Sequence, residues 1–189
     1  MNQLVSCQSE ASSTFMWAGK EDGTFADLFR RHYAAVFRYA VHRLFNRHIA
    51  EDVTAEVFLK AASRFDTFRG DEPAFRGWLY RIATNCINEH LRAGARRKML
   101  LPQHSASDET SCAADGEALD RADAARKLAG AILALKPRFQ AVVVLHYFEG
   151  LTLAEVANVL ECSPATVRSQ LARALSKLRK LLPESSLVN

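Results

Sequence analysis

Two consecutive helix starts near the C-terminus constrain this chain more than any other feature. Thr152 is followed three residues later by Glu155, the pattern of a capping box at a helix N-terminus. Ser163 is a favourable N-cap residue, and Pro164 suits the first position of the next helix because its missing N–H would be unbonded there anyway. Residues 152–182 are therefore predicted to form two helices joined by a tight turn, which is a helix-turn-helix.

The second of these helices has an apolar side and a polar side. Its apolar residues recur at spacings of three and four, and they are Val167, Leu171, Ala174, Leu178 and Leu181. Arg168, Gln170, Arg173 and Lys177 fall largely off that stripe. A major groove admits an α-helix, and Arg favours guanine there while Gln favours adenine. Arg168 and Gln170 are placed to read base edges, although such charges also commonly solvate the outer face of a helical bundle.

Charge is distributed unevenly along the 189 residues. The net charge of +4 divides into −2 for residues 1–23, +6 for 24–98, −5 for 99–120 and +5 for 121–189. Basic segments favour a polyanion such as nucleic acid, whereas the acidic segment would be repelled by it. The chain is expected to place two basic domains on nucleic acid and to keep the acidic connection off it.

Cysteine spacing and hydropathy exclude several other classes. The four cysteines form no CxxC pair and no His lies at zinc-finger spacing, so no disulfide framework, metal site or other cofactor is expected. A reduced, cytoplasmic location fits this usage. No apolar run approaches the roughly 18 residues of a membrane helix, so no membrane insertion is expected. The nucleotide-binding and hydrolase motifs that would indicate an enzyme are missing too.

Apolar periodicity predicts an all-α protein of two small helical domains joined by a flexible linker. Helices are expected from Phe25 to Leu44, from about 49 to 65 and from Pro73 onward, and two more precede the helix-turn-helix. Residues 101–118 are small, polar and acidic, a composition typical of a disordered segment. The predicted organisation is a tail at 1–23, a domain at 24–100, the linker at 101–118 and a second domain at 119–185.

With these segments in place, the chain resembles the extracytoplasmic-function sigma factors of the bacterial sigma-70 family over about residues 24–185. Residues 50–92, AEDVTAEVFLKAASRFDTFRGDEPAFRGWLYRIATNCINEHLR, are similar to sigma region 2. Residues 135–179, which include the motif TVRSQLARA, are similar to sigma region 4. The resemblance implies a protein that binds core RNA polymerase, brings it to promoter DNA and helps to open the duplex without bond chemistry of its own.

The resemblance also implies three sets of site residues. The minus-35 element would be read by Pro164, Thr166, Arg168, Ser169, Gln170, Arg173 and Lys177. The minus-10 element and melting would involve Phe68, Phe75, Arg76, Trp78, Asn85, Arg92, Arg96 and Arg97. Core polymerase would meet Asp52, Glu56, Val57 and Phe58. For Phe75 and Trp78, packing in the core is the commoner role of such rings, and for Phe58 it is as ordinary a role as contact with a partner.

This sequence departs from the family pattern at three of these sites. Gln170 replaces the usual Arg, which favours a different base preference. Glu161 stands where Gly is usual in the helix-turn-helix, so either Glu161 accepts a strained backbone or the turn differs. Ala55 stands where Gln is common beside the polymerase-binding carboxylates.

Two alternatives to a sigma factor stay open at this point. An autonomous helix-turn-helix regulator would share the C-terminal domain but would find its operator without polymerase. An enzyme acting on nucleic acid is disfavoured by the missing motifs. The resemblance further implies an anti-sigma factor as a partner, which could hold the two domains together across the linker.

Overall fold

The computed structural model describes residues 25–100 and 116–182, with side chains from 25 to 96 and from 122 to 182. Its helices are α1 (Phe25–Leu44), α2 (Arg47–Arg64), α3 (Glu72–Leu100), α4 (Gly116–Leu133), α5 (Pro137–Val143), α6 (Leu153–Val159) and α7 (Pro164–Leu181). A 3₁₀ turn, Phe65–Thr67, follows α2, and a π-helical turn, Val144–Phe148, follows α5. No strand occurs in either described range, which confirms the all-α prediction.

The N-terminal domain, residues 25–100, is a bundle of α1, α2 and α3. Phe45 has a φ of +48°, which lets the chain reverse sharply between α1 and α2. Asn46 caps α2, since its side chain accepts a hydrogen bond of 3.0 Å from the Ile49 amide. The helices meet over a core that includes Val36, Val57 and Leu79, all buried. The interruption predicted at Asn46 is therefore a capped turn between antiparallel neighbours.

The C-terminal domain, residues 116–182, is built from α4, α5, α6 and α7. The run Val142–Val144 is β-branched but forms buried helical structure. In the π-helical turn the Glu149 amide donates to the Val144 carbonyl five residues earlier, at 3.1 Å. Gly150, with a φ of +69°, ends the turn and lets the chain enter α6.

The predicted domain boundaries need one adjustment. Helix α4 begins at Gly116, inside the segment expected to be linker, so that segment is shorter than the composition indicated. The remainder of the predicted linker, 101–115, lies outside the described residues, as do the predicted tail at 1–23 and residues 183–185. Among the described helices, none is both long and apolar enough to cross a membrane.

A buried arginine couples the two domains. Arg43, at the end of α1, is 0 % exposed. It donates to Tyr39 Oη at 2.7 Å and to Asn88 Oδ1 at 2.9 Å within the N-terminal domain. It also donates to Gln140 Oε1 at 3.1 Å and to the Pro137 carbonyl at 3.4 Å in the C-terminal domain. Since a buried guanidinium is costly unless its donors are satisfied, these contacts fix how α5 sits against α1.

Candidate nucleic-acid interface

Helix α7 is held so that one side faces solvent. Ser163 Oγ accepts a hydrogen bond of 3.1 Å from the Thr166 amide, and Pro164 occupies the first turn, as predicted. The side chains of Val167, Ala174 and Leu178 are buried against the rest of the C-terminal domain. The opposite side of the helix is thereby left free over its length.

Helix α6 and the turn set the angle at which α7 is presented. The capping box is complete, because the Thr152 hydroxyl accepts from the Glu155 amide at 3.3 Å and Glu155 Oε2 accepts from the Thr152 amide at 2.8 Å. Glu161 has a φ of +52°, so this side chain does accept the left-handed conformation that glycine would adopt freely. The turn keeps its usual path at the cost of local strain.

The residues predicted to read the minus-35 element all lie on α7, most of them exposed. Pro164, Thr166, Arg168, Ser169, Arg173 and Lys177 are exposed, and Gln170 is half-buried. Hydroxyl, amide and guanidinium groups at the N-terminal half of an exposed helix can form hydrogen bonds with base edges in a major groove. Thr166, Ser169, Arg173 and Lys177 lie along the exposed side, whereas Arg168 and Gln170, two residues apart, flank it on different sides.

Sequence reasoning missed a basic groove beside that surface. Its volume is about 530 Å³, and it is lined by Lys136, Arg138, Phe139, Ala172, Arg173, Ser176, Lys177 and Lys180. The Arg138 guanidinium lies 4.8 Å and the Lys177 ammonium 5.3 Å from the centre of the Phe139 ring. In the sequence, Lys136 and Arg138 on either side of Pro137 are the feature that could have indicated this groove. Cations in a groove beside the predicted base-reading surface are suited to phosphate contacts.

The second predicted set lies on α3 and the loop before it, and two of its rings point inward. Phe75 is 0 % exposed and Phe68 is buried as well, with ring centroids 5.5 Å apart. A Cβ added at Gly70 would lie 2.9 Å from the Ala74 Cβ, which is too close for two carbon atoms. The loop therefore needs glycine at this position to close over Phe68. The prediction that Phe68 and Phe75 contact bases directly does not fit this conformation, because both rings pack in the domain core. Trp78 is half-buried beside them, with its ring 5.1 Å from Phe68.

The polar members of that set lie along the outer side of α3. Asn85, Arg92 and Arg96 are exposed, and Arg76 is half-buried. The side chain of Arg97 lies outside the described residues. Arg76 is already engaged, since its Nη2 donates to Glu155 Oε1 of the capping box at 2.6 Å. Basic and amide groups along one helix are suited to tracking a nucleic-acid backbone.

The predicted polymerase-binding residues on α2 divide by exposure. Asp52 and Glu56 are exposed, whereas Val57 and Phe58 are buried in the bundle and cannot present their side chains to a partner here. Leu59, which sequence reasoning missed, is 72 % exposed beside them. A hydrogen bond to Glu56, 2.7 Å away, raises the pKa of Lys60 well above its ordinary value, so the Lys60 ammonium is charged at neutral pH.

A buried carboxylate at the domain boundary also escaped sequence reasoning. The side chain of Glu149 is 0 % exposed, and its Oε2 accepts from Arg38 at 2.9 Å and from the Tyr80 hydroxyl at 2.9 Å. His42 Nδ1 lies 3.5 Å from Oε1. Burial acts to raise the pKa of Glu149, but His42, Arg38 and Tyr80 together outweigh it and lower the pKa. Glu149 is therefore an anion at neutral pH, paired across the two domains.

The described part of the chain contains neither a cluster of metal ligands nor a reactive thiol. Within 25–96 and 122–182, no three His, Cys, Asp or Glu side chains are placed to share a metal ion. Cys86 is buried, Cys162 is half-buried, and neither forms a disulfide. Burial raises the pKa of both thiols, which keeps them protonated and weakly nucleophilic at neutral pH.

A helical bundle followed by a helix-turn-helix domain with an exposed polar recognition helix defines the class of this protein. Family models identify both parts: the model described as Sigma-70 region 2 matches residues 28–97, and that described as Sigma-70, region 4 matches residues 125–178. The chain belongs to the sigma-70 family and to its extracytoplasmic-function members, which confirms the resemblance noted from the sequence.

Individual relatives agree with this assignment. The chain is 30% identical to the ECF RNA polymerase sigma factor SigW of Bacillus subtilis over 173 residues, which cover 87% of this chain and 91% of SigW. It is 29% identical to the ECF RNA polymerase sigma factor BldN of Streptomyces coelicolor over 170 residues, or 89% of this chain. It spans only 64% of the length of BldN and 62% of that of SigE from Mycolicibacterium smegmatis.

Solved structures share the fold. CnrH, in complex with the cytosolic domain of CnrY, is 27% identical with a TM-score of 0.60, covering 84% of this chain and 86% of that one. The sigma factor RpoE of Bartonella quintana, in complex with the anti-sigma factor NepR, is 20% identical with a TM-score of 0.65, covering 85% of this chain and 97% of that one. The second likeness is one of fold alone.

Proposed function

We propose that this protein is an alternative sigma factor that binds core RNA polymerase, directs it to specific promoters and supports melting of the duplex. The observation that carries the proposal is the order of its parts. A region 2 domain precedes a region 4 domain whose recognition helix leaves its polar side exposed. In this role the protein does no bond chemistry, and its place of action is the cytoplasm, where promoter DNA and polymerase are found.

Helix α7 is proposed to read the minus-35 element. Arg168 and Gln170 are assigned to base edges, because Arg pairs with guanine and Gln with adenine through two hydrogen bonds each. The rest of this set would lie near the wall of the DNA major groove and consists of Pro164, Thr166, Ser169, Arg173 and Lys177. Lys136, Arg138 and Lys180 extend it with phosphate contacts, which add affinity but no sequence preference.

Helix α3 is proposed to hold the minus-10 element once the strands separate. The backbone of the single strand would be contacted by the polar residues of this helix, namely Arg76, Asn85, Arg92, Arg96 and Arg97. Trp78, half-buried at the surface, is the ring assigned to an unstacked base. Phe68 and Phe75 are proposed to act from below, by packing that fixes Trp78 in position.

Helix α2 is proposed to bind core polymerase. An exposed leucine, Leu59, next to exposed carboxylates is the kind of mixed apolar and charged surface that protein partners cover. Asp52 and Glu56 supply the charge, while Val57 and Phe58 support the helix from the core. An anti-sigma factor is a further proposed partner, because the RpoE structure that shares this fold contains one.

Transcription in vitro from fragmented genomic DNA tests the proposal. Core RNA polymerase is incubated with and without the protein, and new 5′ ends are mapped. Discrete starts that require the protein are expected, with shared sequence elements upstream of them. An Arg168→Ala variant serves to link the upstream element to α7, and an exposed-surface variant, Arg126→Ala on α4, serves as the matched control.

The outcome also decides between this function and the alternative. No protein-dependent starts, together with specific duplex binding by the protein alone, would establish an autonomous helix-turn-helix regulator instead. Protein-dependent starts that Arg168→Ala leaves unchanged would remove α7 from the reading of the minus-35 element while keeping the sigma factor assignment.

A further inference from the structure

Apolar side chains stay exposed where α1 packs against α2. Phe29 and Tyr33 on α1 are each 37 % exposed, and Leu59 on α2 is 72 % exposed. Ala55 and Ala62 are exposed as well. Each alanine is three or four residues from Leu59, so the two lie on the same side of α2 as that leucine. We call these five residues the α1–α2 strip.

Phe58 joins the two halves of the α1–α2 strip. Its ring lies 4.7 Å from that of Phe29 and 5.8 Å from that of Tyr33. On α2 the two alanines are each three or four residues from Phe58 as well as from Leu59, so they lie between these side chains. The short alanines make the strip a shallow apolar groove. A contiguous exposed apolar patch, unlike a single apolar residue, marks a surface that another segment covers.

The segment before α1 has a composition that suits this groove. Phe15, Met16 and Trp17 are consecutive, and residues 11–19 contain no charged side chain. Aromatic residues and methionine are enriched at the centres of protein interfaces, and the flexible methionine side chain fills irregular gaps. An uncharged aromatic segment therefore matches a surface of rings and small apolar side chains.

The start of α1 brings this segment within reach of the α1–α2 strip. The Phe25 ring lies 5.2 Å from that of Phe65, so α1 begins beside the end of α2. The dipeptide at 22–23 is Asp-Gly, which favours a turn, and a reversal there directs the preceding residues back along α1. From Trp17 to Phe25 the chain spans up to about 26 Å when extended. From Phe25 to Tyr33 the distance along the helix is only about 12 Å.

We propose that Phe15, Met16 and Trp17 fold back onto the α1–α2 strip of the same molecule and cover Leu59. A tether this short keeps the segment at a high effective concentration, of order millimolar, so a modest apolar contact is enough to hold it. Leu59 also belongs to the surface proposed to bind core polymerase, so the docked segment and polymerase compete for α2. This competition rests on the proposed function, whereas the docking itself does not.

Fluorine NMR of the full-length protein labelled with 5-fluorotryptophan tests the docking. The chain contains two tryptophans, and Trp17→Phe identifies the resonance of Trp17. Its position is compared with that in a synthetic peptide of residues 11–24. Leu59→Asp places a charge in the strip, and the matched control is Leu133→Asp, at a leucine of α4 that is 46 % exposed. Both substitutions are at exposed helix positions, and circular dichroism verifies that both variants fold.

We expect the Trp17 resonance of the wild-type protein to differ in position from that of the peptide. It should shift to the peptide position in Leu59→Asp and stay at the wild-type position in Leu133→Asp. A wild-type resonance at the peptide position, or one that Leu59→Asp leaves unmoved, would overturn the inference. A difference that disappears on dilution would do so too, because the segment would then occupy the strip of a second copy.

Affinity for core polymerase separates the docking from the proposed function. If the segment is docked in about 70–90 % of molecules, Phe15→Ser with Trp17→Ser should bind polymerase about 3- to 10-fold more tightly than the wild type. The control, Leu4→Ser with Val5→Ser, removes apolar residues outside the docking segment and should keep the wild-type affinity. Docking without this gain would make the competition wrong. If none of the proteins binds polymerase, the sigma factor assignment fails, and the Trp17 resonance alone decides the docking.

Discussion

Replacing Arg43 with methionine should weaken the coupling of the two domains by about 1–3 kcal/mol. Arg43 is 0 % and Gln140 is 2 % exposed. Removal of the guanidinium therefore leaves the Gln140 Oε1 buried, without its hydrogen-bond donor. An orphaned buried acceptor costs about 1–3 kcal/mol. Asn88 also loses a hydrogen bond, but it belongs to the same domain as Arg43, so this loss affects the N-terminal domain and not the coupling. Methionine keeps most of the packed volume, so a cavity adds little.

The free energy lost in Arg43→Met has an upper limit, because the domains can separate. Once they do, water satisfies Gln140 and the penalty disappears, so the loss cannot exceed the free energy of closure itself. The N-terminal domain should keep its fold, since Tyr39 retains its 2.9 Å bond with Thr84. We therefore expect a lower free energy of unfolding in urea if the domains stay together. If the domains separate, we expect a larger radius of gyration in buffer.

The control for Arg43→Met is the same substitution at Arg47. That side chain is 74% exposed and pairs with Glu51 one turn along α2, so its loss should cost less than about 0.5 kcal/mol. Urea unfolding, followed by circular dichroism, and small-angle scattering are measured for both variants and for Arg43→Met combined with Gln140→Leu. Effects of Arg43→Met and Gln140→Leu that add without coupling, or an Arg43→Met protein as stable and compact as the wild type, would refute the reasoning.

Three other predictions concern the helix start, the recognition helix and pH. Thr152→Ala removes the cap of α6 and should lower the stability of the C-terminal domain by about 1 kcal/mol, read from its thermal midpoint; an unchanged midpoint would deny the capping box any role. Arg168→Ala should relax selection at one base pair by about 1–3 kcal/mol in holoenzyme competition between promoter variants, whereas a uniform loss would indicate a phosphate contact. Burial, opposed by Glu72, lowers the pKa of His32, so the folded protein holds this proton less tightly than the unfolded chain does. Stability is then complete above about pH 6.5 and falls as pH drops below it. Urea unfolding between pH 7 and 5 should show this slope, and His32→Gln should flatten it; an equal slope in both proteins would assign it to other groups.

Local chemistry was sufficient to predict the helices. Ser163 and Pro164 marked the start of α7, and the spacing of its apolar residues indicated which side would be buried. At Glu161 the sequence left two outcomes open, a strained backbone or a different turn, and the φ of +52° shows that the first occurs. Caps and periodicity act within a few residues, so the sequence displays them directly.

Contacts between distant residues could not be predicted in this way. Arg38 and Glu149 are 111 positions apart, and nothing near either of them indicates the other. Periodicity did not separate Phe75, which is buried, from Trp78, which is half-buried, because both are aromatic residues on the same helix. The family resemblance gave roles to both without giving their exposure, which depends on how the loop at Gly70 closes.

The π-helical turn at Val144–Phe148 makes the length of this segment as important as its composition. Its hydrogen bond spans five residues instead of four, so the turn holds one residue more than an α-helix would use. Deleting that residue would restore regular helix and rotate everything after it by about 100° about the axis, carrying Glu149 away from Arg38 and Tyr80. The helix-turn-helix that follows would survive, because its own caps define it. A single-codon deletion would thus uncouple two intact domains without altering the recognition helix.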